Sequence, residues 1–136
     1  MAHRHTLRNI LSGSAVLLGL LLLPLAARAD AATEVLTAAS HAGYSAAATS
    51  LPMAQMHLHH TLNCLVGPAG KGFDSTAANP CKDQGSGAIP DTSDAQKKET
   101  LQHAASSALD ALKDTDLDTI KKDASNIQAT LKTVKY

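Results

Sequence analysis

Leu, Ile, Val and Ala recur along much of this chain at intervals of three and four, the spacing of one face of an α-helix. That rhythm predicts four helical segments. The first spans about 31–48, with Val35, Ala39, Ala42 and Ala46 on one face. Ser40, Gly43 and Ala47 make a second, smooth face suited to close approach of a neighbouring helix. The second spans 51–66, with Leu51, Ala54, Leu58, Leu62 and Leu65 on its apolar face. Ser50 is its expected N-cap, Pro52 fits its first turn, and Gly67-Pro68 stops it. The third is expected to start near Asp94, with Ser93 and Gln96 in capping-box positions and Leu101, Ala105, Ala108 and Leu112 facing inward. The fourth follows Thr115, with Asp118 at the matching capping position. Its Leu117, Ile120, Ala124, Ile127, Leu131 and Val134 form the clearest helical alternation in the chain.

Residues 67–93 interrupt this rhythm. Five of the eight glycines fall here, at 67, 70, 72, 85 and 87, together with Pro68, Pro80 and Pro90. A connection this long inside a small domain needs to be functional or tied down. Cys81 supplies a tie, and Phe73 is expected to tuck the loop onto the helices. Segment 49–65 can be laid on 115–131, matching Leu51 with Leu117, Leu58 with Ala124 and Leu65 with Leu131, which suggests two helical hairpins. The expected fold is all-α: an antiparallel four-helix bundle with a long, disulfide-pinned central loop.

Residues 1–29 read differently. His3, Arg4, His5 and Arg8 precede an uncharged run, 15–27, of Ala, Val, Leu, Gly and Pro, and Ala27-Arg28-Ala29 places small residues where a signal peptidase reads them. As a helix the apolar run would rise only about 20 Å, short of a bilayer core of about 30 Å. A secretory signal cleaved after Ala29 is therefore expected, leaving 30–136 as a single helical domain, periplasmic or secreted. No cysteine precedes Cys64, so a lipid anchor is not expected, nor any stable membrane anchor after cleavage.

Composition then narrows the function. Residues 30–136 hold nine lysines and no arginine against twelve acidic residues, a formal charge of −3. Without arginine or a basic stripe, nucleic acid is not an expected partner. Phe73, Tyr44 and Tyr136 are the only aromatics of that stretch, so the core must be built from aliphatics and alanine and is thin. Thin small cores are commonly stapled. Two cysteines in an exported chain argue for a Cys64–Cys81 disulfide, worth roughly 3 kcal/mol through closure of its loop.

One helix carries candidate chemistry. On a wheel with Met53 at zero, His57 falls at about 40°, His60 at about −20°, Cys64 at about 20° and Met56 at about −60°, whereas the leucine face centres near about 140°. His57 and His60, one turn apart, can hold one ion, and Met53 or Met56 can complete the set. Imidazole with thioether suits copper, Cu(I) above all, or another borderline transition metal, better than magnesium or calcium. The competing reading is a metal-free structural or protein-interaction module in which the methionines pack under the loop. His59 projects off the stripe, and His41 and His103 are expected to face solvent. Neither a Cys-x-x-Cys-His haem attachment motif nor a Gly-x-Ser-x-Gly nucleophile setting occurs, so an enzyme is not expected.

The segment His57-Leu58-His59-His60-Thr61-Leu62-Asn63-Cys64-Leu65-Val66-Gly67-Pro68, with Gly72-Phe73-Asp74, Asn79-Pro80-Cys81 and Gly87-Ala88-Ile89-Pro90-Asp91, resembles small exported bacterial helical proteins of uncharacterised function. That resemblance implies a periplasmic setting and no particular activity. A looser similarity, through His-Ala pairs and helical hairpins, is to periplasmic small metal-binding proteins, and it implies metal handling. The sequence names no protein partner.

Overall fold

A computed structural model of the chain describes residues 30–136; the expected signal segment, 1–29, lies outside the described residues. Those residues form five helices and no strand: α1 (Ala31–Ala46), α2 (Leu51–Val66), α3 (Ala88–Asp91), α4 (Ala95–Ala111) and α5 (Leu117–Thr133). None is long and apolar enough to cross a membrane. The four long helices are the four that periodicity predicts. The first stops at Ala46 rather than near 48, and the single turn α3 interrupts the expected loop.

The helix starts depart from the expected capping. Asp30 caps α1 by accepting from the Thr33 amide. Asp94 caps α4 through Lys97 N, and Asp116 caps α5 through Thr119 N, so the Ser93 and Thr115 caps give way to the aspartate that follows each. A carboxylate meets the unpaired amides and the positive end of the helix dipole with a full charge, which a hydroxyl lacks. Ser50 occupies the N-cap position of α2 in extended backbone but makes no side-chain cap bond; Pro52 in the first turn removes one of the amides needing a partner. Gly67, at φ 66°, ends α2, a conformation that disfavours any residue with a Cβ.

Packing follows the predicted apolar faces. Leu58, Leu62, Leu65, Leu101, Ile120 and Leu131 are fully buried, with alanines of α1, α4 and α5 filling the spaces between them. α1 packs on α2 and α5, and α4 packs on α5 and α2. The smooth face of α1 does admit a neighbour: the Gln128 side chain of α5 lies over Gly43, where a Cβ would sit 2.2 Å from its amide nitrogen, and that amide donates to Ala39 O. The overlaid segments 49–65 and 115–131 start their helices at equivalent residues. Leu58 and Ala124, like Leu65 and Leu131, are buried at matched positions.

Cys64 and Cys81 are disulfide-bonded, as expected. The loop they pin is also held by Asn63, which is buried. Its side chain accepts from Asp74 N and donates to Asp74 O and Ala78 O. Phe73 packs against the core, as its place in the sequence suggested.

Candidate metal centre

The seam between α1 and α2 is built from small and polar side chains spaced by three and four. Ser45 Oγ donates to Ala54 O, His41 faces His57, Thr61 Oγ1 donates to Ala38 O, and the carbonyl of Glu34 lies against Cys81, which is bonded to Cys64. Residues 38, 41 and 45 of α1 thus meet 61, 57 and 54 of α2, and Glu34 meets the loop at Cys81. Hydroxyls and alanines let the helix backbones come close, and this brings two imidazoles of α2 under one of α1.

His41, His57 and His60 form that cluster. Each offers a ring nitrogen within 4.8 Å of the other two, and all three side chains are half-buried. The closest approach is Nδ1 of His41 to Nδ1 of His57, 3.3 Å. Two imidazole nitrogens on one tetrahedral ion with bonds of 2.0–2.1 Å would stand about 3.4 Å apart, so this pair already has the spacing of shared ligands. Ring centroids of His41 and His60 are 5.0 Å apart at 88°, and those of His57 and His60 are 5.7 Å apart at 82°. The rings meet edge to face, which lets nitrogens of different rings converge on one point. Nδ1 of His60 is buried without a hydrogen-bond partner, and an orphaned buried nitrogen carries a desolvation cost that a bound ion would remove.

Burial and neighbouring rings favour the uncharged form of two of the three imidazoles. Burial, then the neighbouring His60 and His57, pushes the His41 imidazolium down from 6.5 to about 4. Burial, with His57 and His59 beside it, also lowers His60. A metal binds neutral imidazole, so no proton has to be driven off either ring at neutral pH.

Around the cluster, the Tyr44 ring of α1 stands edge-on to His41, centroids 5.5 Å apart, and 5.4 Å from His57; it is 56% exposed and borders the site on the solvent side. Met53 and Met56 each precede one of the α2 histidines by one turn and are 43% and 45% exposed. Of the sequence-derived stripe, then, the structure joins His57 and His60 and leaves the methionines at the surface beside them. Cys64 is committed to the disulfide and is not a thiolate ligand. His59 lies off the stripe as expected, with Nδ1 3.3 Å from Asp74 Oδ2 but out of line for a hydrogen bond.

His41 is the residue that sequence reasoning missed. It was expected in solvent because it falls outside the apolar face of α1; instead it occupies the seam. The signal was present as a run of Glu34, Ala38, His41 and Ser45 at intervals of four, three and four, but a hydrophobicity pattern is blind to a seam made of polar residues. His103 is exposed, as expected.

Compared with family models, with curated proteins and with solved structures, the chain matches none of them.

Proposed function

We propose that this protein is an exported, non-enzymatic helical protein that binds one transition-metal ion, copper by preference, at His41, His57 and His60. The convergence of three imidazole nitrogens from two helices, with 3.3 Å between the first two, carries this reading. Three nitrogen ligands leave a position open for a fourth. Met53 or Met56, each one turn from an α2 histidine, can supply a thioether there, which favours Cu(I). The scaffold we propose is an antiparallel four-helix bundle of two hairpins. Contacts that climb α1 from 38 to 45 while descending α2 from 61 to 54 support it. Export rests on the basic, apolar and small-residue order of 1–29, and the disulfide suits an oxidising compartment. The negative charge and lack of arginine argue against nucleic acid as a partner.

Edge-to-face packing of Tyr44 on His41 favours a second reading, a metal-free structural or interaction module in which the rings simply pack. Calorimetric titration of residues 30–136 with Cu(I), Cu(II), Zn²⁺ and Ni²⁺ separates the two. One ion per chain is expected. The His57→Ala/His60→Ala double variant and His41→Ala should each lose at least about 100-fold in affinity, about 2.7 kcal/mol, with helix content unchanged. His59→Ala should stay within about threefold of the parent, a difference of about 0.7 kcal/mol. Equal affinity in the parent and the double variant would refute the site.

A further inference from the structure

Two turns before His41, α1 carries a carboxyl group that the metal site does not use. Glu34 is fully buried. Its Oε1 accepts from the Gly87 amide at 2.8 Å, and its Oε2 has no partner that could donate to it. Asp91 of α3 stands beside it. An added Cβ at Gly85 would lie 2.2 Å from Asp91 Oδ2 and 2.9 Å from Glu34 Oε1, so the loop glycine fits closely over both carboxyl groups. Asp91 Oδ2 in turn accepts from Ser86 N at 2.6 Å. The other charged group acting on Glu34 is Asp30, the N-cap of its own helix; neither Lys nor Arg pairs with it among the described residues.

Two carboxylates held this way, one of them wholly out of water, disfavour double ionisation: an ionised Glu34 would pay for its burial and for the neighbouring charge. We infer that Glu34 and Asp91 form a one-proton site, Glu34 holding the proton on Oε2 and sharing it with the Asp91 carboxylate, and that this acid–carboxylate pair is a pH-sensitive latch holding the disulfide loop against α1. Oε2 then becomes a donor and is no longer orphaned. The same loop touches α1 at three further places: Asp30 N donates to Gln84 O, Thr37 Oγ1 to Gln84 Oε1, and the Cys81 sulfur lies against Glu34 O. The latch therefore closes a contact that the disulfide brings near.

The pH dependence follows in sign. Burial above all, then the charge and hydrogen bond of Asp91, lifts Glu34 from 4.5 to about 7, against the pull of the Gly87 amide. Between those values the folded chain keeps a proton that the unfolded chain has lost. The latch's stabilisation is complete below about pH 4.5 and drains away as pH rises through about 7. The unfolding equilibrium should shift by on the order of 100-fold across that window.

The test is carbon-13 NMR of the side-chain carboxyls of residues 30–136, with urea unfolding of the parent and Glu34→Gln between pH 4.5 and 8.5. Glu34 should titrate near 7, and the stability of the parent relative to Glu34→Gln should fall as pH rises through this range. Glutamine keeps the acceptor for Gly87 and a donor for Asp91, so Glu34→Gln should fold and hold its stability at pH 8.5. A Glu34 carboxyl titrating near 4.5 would overturn the latch, as would parallel pH profiles of parent and variant. Calcium that stabilises the parent at pH 8 but not Glu34→Gln would overturn it too, showing a cation where the proton is placed. Metal affinity at the histidines plays no part in these readouts, so this inference and the proposed function can fail separately.

Discussion

The two ends of the α1–α2 seam solve the same problem in opposite ways. Both place polar groups between closely packed helices. At one end the groups are closed over: a disulfide joins Cys64 to Cys81, Asn63 pins the loop with three hydrogen bonds, and Glu34 sits beneath it. At the other, three imidazoles meet beside a tyrosine that is more than half exposed. Each end retains one buried polar atom without a partner, Glu34 Oε2 and His60 Nδ1. The sealed end can satisfy its atom with a proton taken up locally, whereas the open end can admit something from solvent. Their titration signs are also opposed. Glu34 binds its proton more tightly in the folded chain, and His41 more weakly.

The strongest test of this contrast is to unseal the closed end. Cys64→Ser with Cys81→Ser should lower stability by roughly 3 kcal/mol, measured by urea unfolding. Metal affinity should stay within about threefold, roughly 0.7 kcal/mol, because the three imidazoles are positioned by α1 and α2 themselves, even though His60 lies only one turn from Cys64. An equally large loss of metal binding would show that the two ends act as one unit.

A smaller perturbation of the same end is Asn63→Ala. It strips the partners from Asp74 N, Asp74 O and Ala78 O. The expected loss is about 2 kcal/mol, with faster amide exchange at Asp74 in the folded state. An unchanged exchange rate there would mean that the disulfide alone holds the loop.

At the open end, acid should act on the imidazoles. Since the folded chain resists protonating His41 down to about pH 4 while the unfolded chain protonates near 6.5, this group's contribution to stability is present above 6.5 and falls as pH drops through that window. That window overlaps the one in which Glu34 loses its stabilisation, and the two contributions oppose each other between about 4.5 and 6.5, so His41→Asn should leave a melting-temperature profile that falls more steeply there as pH rises. In a metal-free sample, proton NMR should find the His41 ring neutral at pH 5.5. A protonated ring at that pH would remove the basis for the opposed signs.

The mildest change tests the helix pair outside the seam. Gly43→Ala places a methyl where Gln128 lies and should displace that side chain from Ala39 O. The displaced group is the end of a flexible side chain, and alanine favours helix over glycine. The net effect on stability should be under about 1 kcal/mol, with metal binding unchanged. A larger loss would mean that α5 helps to position α1, and with it His41.

The elements of this fold were legible because aliphatic periodicity reports a helix wherever one face meets a core. Leu58, Leu62 and Leu65 of α2 and Ile120, Ile127 and Leu131 of α5 are buried as their spacing requires. The cysteine pair, in a chain with so few aromatics, pointed to a staple. The caps were misjudged because Ser93 and Asp94, or Thr115 and Asp116, are adjacent candidates whose local patterns both satisfy a helix start. The choice falls to whichever side chain reaches the third amide with a full charge.

Two of the three imidazoles of the candidate site were equally legible. His57 and His60 lie one turn apart on a single helix, and intrahelical geometry is local: 100° per residue places both without knowledge of any other element. His41 is different. It is sixteen residues from His57, across a turn, on a seam whose contacts are hydroxyls, alanines and imidazoles rather than leucines. Which face of α1 meets α2, and at what register, depends on how α5 takes the other face through Gly43 and Gln128, and on how the disulfide loop covers the far end. Those are long-range packing choices, made by summing many small contacts over the whole chain. Sequence alone therefore determined the four long helices, the staple and two of the three imidazoles. Tertiary packing supplied the third imidazole and buried Glu34 beside Asp91.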